Sequence, residues 1–289
     1  MQLVVNIVVL ASIYSLIAAG YVLIYRVSRV LNLAHGELMM LGAYMILATA
    51  SLFGDYPWLA IGAAVLLSFV TGGMVYVFLM RKMTGEMVLA AILATVALGI
   101  LIKGIIILVW SAQQQYPAQA LAMSNPTLKI GAASISFWSV ALIATNAAVY
   151  LALFGFLRFG RWGTRMRAAG QNPLFAAQRG INLHSIYALA WGLSTLTGAL
   201  AGILMALDSG LTNTMPIIAL KAFPAALVGG LDSLAGALIG ALIIAGAEVL
   251  LIYYVDPLLS DVVPFVVLIV MLVVRPWGLF GTREELDRV

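Results

Sequence analysis

Apolar residues in this chain come in long unbroken runs rather than in alternation or in one-sided stripes. Runs near or above the ~20 residues that cross a bilayer as helix recur from end to end. Short stretches of basic, Gly, Pro or Asn residues break them. They predict spans near 3–25, 34–52, 58–80, 87–110, 135–157, 185–207, 234–252 and 261–274, with a shorter apolar piece at 217–230. Membrane β-strands would instead alternate in units of about ten residues, a pattern absent here. The fold expected is an all-α polytopic membrane protein, one transmembrane domain over 1–289, with about eight full transmembrane helices plus one short, broken or re-entrant helix.

Composition agrees: 64% of the residues are hydrophobic and 9% charged, where soluble domains carry roughly 25% charged. The location of the charge says more than its total. Arg26, Arg29, Arg81, Lys82, five arginines between 158 and 179, Arg275, Arg283 and Arg288 fall on one side, twelve of the 15 basic residues. The positive side is the cytoplasmic one, so the amino terminus is expected outside and the carboxyl terminus in the cytoplasm. An odd number of crossings is then required, and 217–230 must cross or nearly cross. Its 14 or so residues reach only ~21 Å as helix against a hydrocarbon core of ~30 Å. Such a piece has to be buried in protein. The opening apolar run lacks a basic start and a small-residue cleavage site, and reads as a first span rather than a cleaved signal. Gly198 with Gly202, and Gly236 with Gly240, form GxxxG pairs that let helix backbones approach closely.

No cysteine occurs, and the two histidines, His35 and His184, have no ligand spacing; neither a metal site nor a cofactor is expected. HExxH, a Walker A loop and a Ser/His/Asp grouping are all absent, so no catalytic residues are expected and the chain is not itself an enzyme. Ionisable groups within spans tend to mark pathways. Asn32, His35 and Glu37 cluster beside Gly36 where the first span gives way to the second. They belong either to a helix broken below the surface, near a translocation route or its gate, or to a solvated hairpin with Glu37 against Arg29. Glu248 and Lys103 lie deep in their spans, and a salt bridge between them would satisfy both.

The longest basic loop, 158–184, carries a capped helix. Asn172 is a favoured N-cap, Pro173 a favoured first helical residue, and Gly180 suits the left-handed C′ position. Two turns of helix are unstable alone. The piece must dock on a partner or lie on anionic lipid.

Several blocks together, "NLAHGELMMLGAY", "RMRAAGQNPLFAAQRGI", "KAFPAALVGGLDSLAGALIGALIIAGAE" and "VVRPWGLFG", resemble the permease subunits of branched-chain amino-acid ABC importers, the LivH/LivM family, in its shorter LivH-type form. The resemblance implies a permease domain in the bacterial inner (cytoplasmic) membrane. It also implies a second permease subunit completing a heterodimer, two cytoplasmic ATP-binding subunits that hydrolyse ATP, and a periplasmic substrate-binding protein. Nucleic acid has no part in it. The coupling helix implied is Asn172, Pro173, Leu174, Phe175, Ala176, Ala177, Gln178, Arg179 and Gly180. The acidic residue usual at the start of that motif is missing, Pro173 and Leu174 standing there. The implied pathway or gate residues are Asn32, His35, Glu37 and Glu248. The substrate implied is Leu, Ile or Val, or a related amphipathic molecule such as another amino acid, an amide, urea or an aromatic acid. An ATP-independent transporter or channel is the competing class, against which the absence of an internal repeat counts.

The charge map is directly testable. Loop 158–184 should be cytoplasmic and loop 111–134, with Lys129 its one basic residue, external. Cysteines at Gln115 and Gln171 should react with an impermeant reagent from opposite sides. Labelling of both from one side overturns the map.

Overall fold

The structure is a computed structural model that describes residues 1–282; Arg283 and Arg288 of the basic tally lie outside the described residues. Among the described residues, seven helices are long and apolar enough to cross a membrane: α1 (Gln2–Ser28), α2 (His35–Phe53), α3 (Pro57–Phe78, continued by a 3-10 turn to Met83), α4 (Val88–Trp110), α6 (Phe137–Phe159), α9 (Leu183–Ser209) and α11 (Leu234–Tyr254). Between them lie the short helices α5 (Pro117–Ala120), α7 (Arg161–Gln171), α8 (Pro173–Gln178), α10 (Met215–Gly229) and α12 (Val263–Val274). A polytopic all-α membrane protein is what the apolar runs predict. Hydrocarbon supplies no hydrogen bonds, so each run must close its own backbone ladder.

Two pieces are shorter than a bilayer. α10, with its 15 residues, reaches ~22 Å as helix, and Pro224 inside it removes the N–H that would reach the Leu220 carbonyl. The run read as an eighth full span, 261–274, holds only the 12-residue α12, about 18 Å. A 3-10 turn occupies Pro257–Asp261 ahead of it, and α12 starts with Pro264 in its first turn, so the helix does not extend further back.

α1 and α9 form the centre and are largely buried, whereas α3, α4 and α6 turn most of their side chains outward. α2 packs between α9, α3 and α10, and α11 between α1 and α10. Both small-residue pairs lie at interfaces. Gly198 and Gly202 of α9 face His35, Met39 and Ala43 of α2, and Gly236 and Gly240 of α11 face Gly229 and Ala225 of α10.

The segment after α4 is not wholly irregular. Thr127–Ile130 and Ala133–Ser136 pair as an antiparallel hairpin in the register Thr127↔Ser136, turning at Gly131 with φ 61°. Four-residue strands carry too little alternation to be seen in sequence. Gln2 at the start of α1 exchanges two hydrogen bonds with the Ser134 backbone, at 3.1 and 2.8 Å. The hairpin and the amino terminus therefore share one end of the bundle, and α7 and α8 occupy the other. Gln115 is half-buried and pairs with Leu211, so the exposed Gln113 is the cleaner labelling site at that end.

A Cβ on Gly240 would overlap the Ala225 carbonyl oxygen, whereas one on Gly246 would meet nothing within 4 Å. Gly240→Ala is therefore expected to destabilise by about 1–3 kcal/mol, the usual cost of overpacking, and Gly246→Ala to be neutral. Thermal unfolding in one detergent separates them. Equal midpoints for the two variants would show that the α10–α11 contact is looser than described.

Candidate functional site

α1 ends in the left-handed Arg29, φ 55°, and the chain then runs back into the bundle before α2 begins. His35, the first residue of α2, sets its Nε2 3.1 Å from the Ile17 carbonyl. Ile17 lies eleven residues before the end of α1, so the tip of the His35 ring sits about 16 Å below that end. The helix is broken inside the protein, as the first of the two readings of this cluster expected. Asn32 holds the break: its Oδ1 accepts from the Ala34 N–H at 3.1 Å, and the Leu33 N–H donates to Thr95 Oγ1 at 3.1 Å. These bonds replace part of what an interrupted backbone loses in hydrocarbon.

The three polar residues of the cluster have different surroundings. His35 is fully buried. Because Nε2 donates to a carbonyl, Nδ1 is left to accept from the Ser194 hydroxyl at 3.4 Å. Its ring lies 4.6 Å from that of Tyr21 and fills the space left by Gly20, where a Cβ would collide with it. It is a packed junction residue between α1 and α9. Asn32 is 1% exposed, and its Nδ2 has no hydrogen-bond partner. A buried donor left unsatisfied costs about 1–3 kcal/mol and calls for an explanation. Glu37 is half-buried and turns away from both, its carboxylate lying against Gly99 of α4. Lys103, one turn along the same helix, bears on it electrostatically.

Glu248 forms a second cluster. It is 3% exposed, accepts from the Tyr14 hydroxyl at 2.6 Å and is ion-paired with Lys221. Lys221 reaches on to the exposed Asp261 at 3.3 Å. The partner of Glu248 is thus Lys221 and not Lys103, with which the sequence allows a salt bridge. α11 packs on α10, which carries Lys221, while α4 packs on α2. Sequence reasoning missed Lys221, Tyr14 and Asp261. The signal was a lone lysine in an apolar piece too short to cross, which needed a buried counter-charge. One turn of α1 separates Tyr14 from Ile17, and Tyr21 donates to the Ala219 carbonyl at 3.3 Å. The two clusters therefore flank the same stretch of α1, but the structure does not bring Glu248 into contact with Asn32, His35 or Glu37.

At the basic end, α8 has the local geometry that its capping residues predict. Asn172 Oδ1 accepts from the Phe175 N–H at 3.1 Å, Pro173 opens the helix, and Gly180 follows it at φ 79°. The helix closes one residue early, with Arg179 as its C-cap. Ala176 and Ala177 do not share a face: Ala176 is buried against the body of the protein and Ala177 is exposed. The surface presented outward carries Leu174 and Phe175, 67% and 63% exposed, two apolar side chains that water does not favour.

The chain matches the family described as the branched-chain amino acid transport system / permease component over residues 3–272. It is 31% identical to the high-affinity branched-chain amino acid transport system permease protein LivH of Salmonella typhimurium, over 98% of this chain and 96% of that one. It is 27% identical to the corresponding protein BraD of Pseudomonas aeruginosa, over 100% and 98%. A solved structure, PsaBC from Streptococcus pneumoniae in complex with Fab, gives a TM-score of 0.49 at 12% identity over 94% of this chain and 91% of that one, a likeness too slight to carry an argument. A family match across nine-tenths of the length, together with a bundle of the expected kind, leaves one conclusion: the chain belongs to the branched-chain amino acid transport system / permease component family.

Proposed function

We propose that this chain is the membrane-spanning subunit of an ATP-driven importer that carries branched-chain amino acids across the bacterial inner membrane. The observation that carries the proposal is the near full-length similarity to permeases named for that substrate. Two features of the structure support it. The capped α8 presents Leu174 and Phe175 at the basic end of the bundle, as a helix seated in another protein's groove would. The chain also carries no Walker A loop, so in this reading ATP is hydrolysed by partner ATP-binding subunits. A second permease would complete the pathway against the outward-turned apolar helices, and a periplasmic binding protein would deliver substrate on the face that bears the hairpin. In this reading α8 receives the movement of the ATPases, and the break at Asn32–Glu37 is where the pathway opens or closes. Asn32 Nδ2 is then a donor left for substrate or water in another state of the cycle, and Glu37 a charge at the edge of the route.

Coupling is tested at Ala177, Gly180 and the arginines. Ala177→Glu places a charge beside Leu174 and Phe175 at the seat, and burying it unpaired should weaken ATPase association by about tenfold or more. Gly180→Val puts a β-branched residue at φ 79°, which such residues do not tolerate. Both variants should insert normally and lose substrate-stimulated ATP hydrolysis in the reconstituted importer. If Ala177→Glu couples normally while neutralising Arg165 and Arg179 abolishes transport, α8 lies on lipid instead.

The pathway is tested at Glu37. Glu37→Gln keeps the shape against Gly99 and removes the charge, so subunit assembly should be unchanged while labelled leucine uptake into proteoliposomes falls about tenfold, the scale of one lost charge-assisted contact. Wild-type uptake would return Glu37 to a structural role.

A further inference from the structure

The α8 end of the bundle holds an open cavity of about 520 Å³ that none of the roles above uses. Arg26 from the last turn of α1, Arg158 from the last turn of α6 and Arg167 from α7 converge on it, and Arg29 also borders it. Among the described residues the lining contains one acid, Asp232, which already accepts from both the Thr282 N–H and its hydroxyl. Arg26 and Arg167 stand near enough for their like charges to oppose each other, with Asp232 offsetting part of the repulsion.

The start of α11 opens onto the same space through Ser233, Leu234 and Ala235. Ser233 caps the Gly236 N–H at 3.0 Å. The N–H groups of Leu234 and Ala235 have no carbonyl four residues back within the helix, and the positive end of a 21-residue helix dipole points there. Guanidinium groups in excess over carboxylate, around the open end of a long helix, are the chemistry of phosphate recognition.

On the α6 side the wall is apolar. Leu157 and Phe154 line the cavity one turn apart on α6, and Phe154 is 40% exposed on the outer side of that helix. A soluble phosphate would have no use for such a wall, whereas a lipid chain would lie along it. We propose that the cavity is a binding site for the phosphate headgroup of an anionic phospholipid, held by Arg26, Arg158, Arg167 and the start of α11, with an acyl chain along Phe154. This goes beyond general attraction of a basic face to anionic membrane, because it assigns the binding to particular arginines, and it does not depend on the transport reading.

The test compares two double variants of the full chain with equal loss of charge. Arg158→Gln with Arg167→Gln empties the cavity of two guanidiniums. Arg161→Gln with Arg165→Gln removes two from the exposed outer face of α7. Both are purified in mild detergent, checked for monodispersity and for their thermal midpoint without added lipid, then titrated with dioleoylphosphatidylglycerol, dioleoylphosphatidylcholine or inorganic phosphate, following the midpoint. Phosphatidylglycerol should raise the midpoint of the wild type and of the outer-face variant alike. The cavity variant should need about tenfold more of it, the scale of losing charge-assisted bonds, and phosphatidylcholine should have no such effect. Equal loss in both variants, no loss in the cavity variant, or an equal response to phosphatidylcholine overturns the proposal. A midpoint rise with inorganic phosphate alone, lost in the cavity variant, would also overturn the lipid assignment, giving the site to a soluble phosphate.

Discussion

A bilayer core offers no hydrogen bonds, and the irregular parts of this chain sit where they do for that reason. The reversal between α1 and α2 could not face lipid. It is enclosed instead by α1, α9, α10 and α4, and its freed backbone groups are taken up by Asn32 Oδ1 and Thr95 Oγ1. Close enclosure requires small residues on the enclosing helices. Gly20 and Gly198 leave room for the His35 ring, and Gly36 lies against Pro216 and Ala219 at the start of α10. Gly20, Gly36 and Gly198 thus follow from the need to seal a broken helix inside protein.

The same constraint orders the charges. Glu248 and Lys221 are tolerable only as a pair, and Tyr14 supplies a further hydrogen bond to the carboxylate. Breaking such a pair by removing one member typically costs about 3–5 kcal/mol, because the other charge is then left buried and unpaired. The pair joins α10 to α11 above the glycine contacts at Gly229, Gly236 and Gly240, and Tyr14 ties both to α1. A helix too short to span, and interrupted by Pro224, is held in place by packing at one end and by charge at the other.

Much of this was legible in sequence because hydrocarbon demands it directly. The long apolar runs at 3–25, 87–110 and 185–207 became α1, α4 and α9 with boundaries within a few residues. The caps of α8 were readable because Asn172, Pro173 and Gly180 act through local backbone chemistry. What could not be read depended on which helices become neighbours. Lys103 and Lys221 are each a lone cation in an apolar stretch, and only the packing of α10 on α11 gives Glu248 to Lys221. Ala176 and Ala177 are equivalent in sequence, and only the seating of α8 makes one buried and the other exposed. The last apolar run misled for a different reason: 261–274 was already too short to cross, and the 3-10 turn at Pro257–Asp261 keeps α12 from extending further back.

The arrangement also bears on how one end of the bundle could influence its middle. α7 packs on the end of α1 where Gly170 touches the Arg26 carbonyl, and a Cβ there would collide with it. α8 follows α7 after a single residue, so a displacement of α8 presses on α1 through a contact with no slack. α1 is a continuous 27-residue helix, and along it lie the two interior polar clusters: Ile17 and Gly20 against His35, and Tyr14 against Glu248. A packed chain of contacts makes coupling physically available. The contacts run along α1 to the broken start of α2, whose bonds through Asn32 and Thr95 can be exchanged without melting a helix. Movement transmitted along α1 would therefore be felt first at the break, where an unpartnered Asn32 donor already waits.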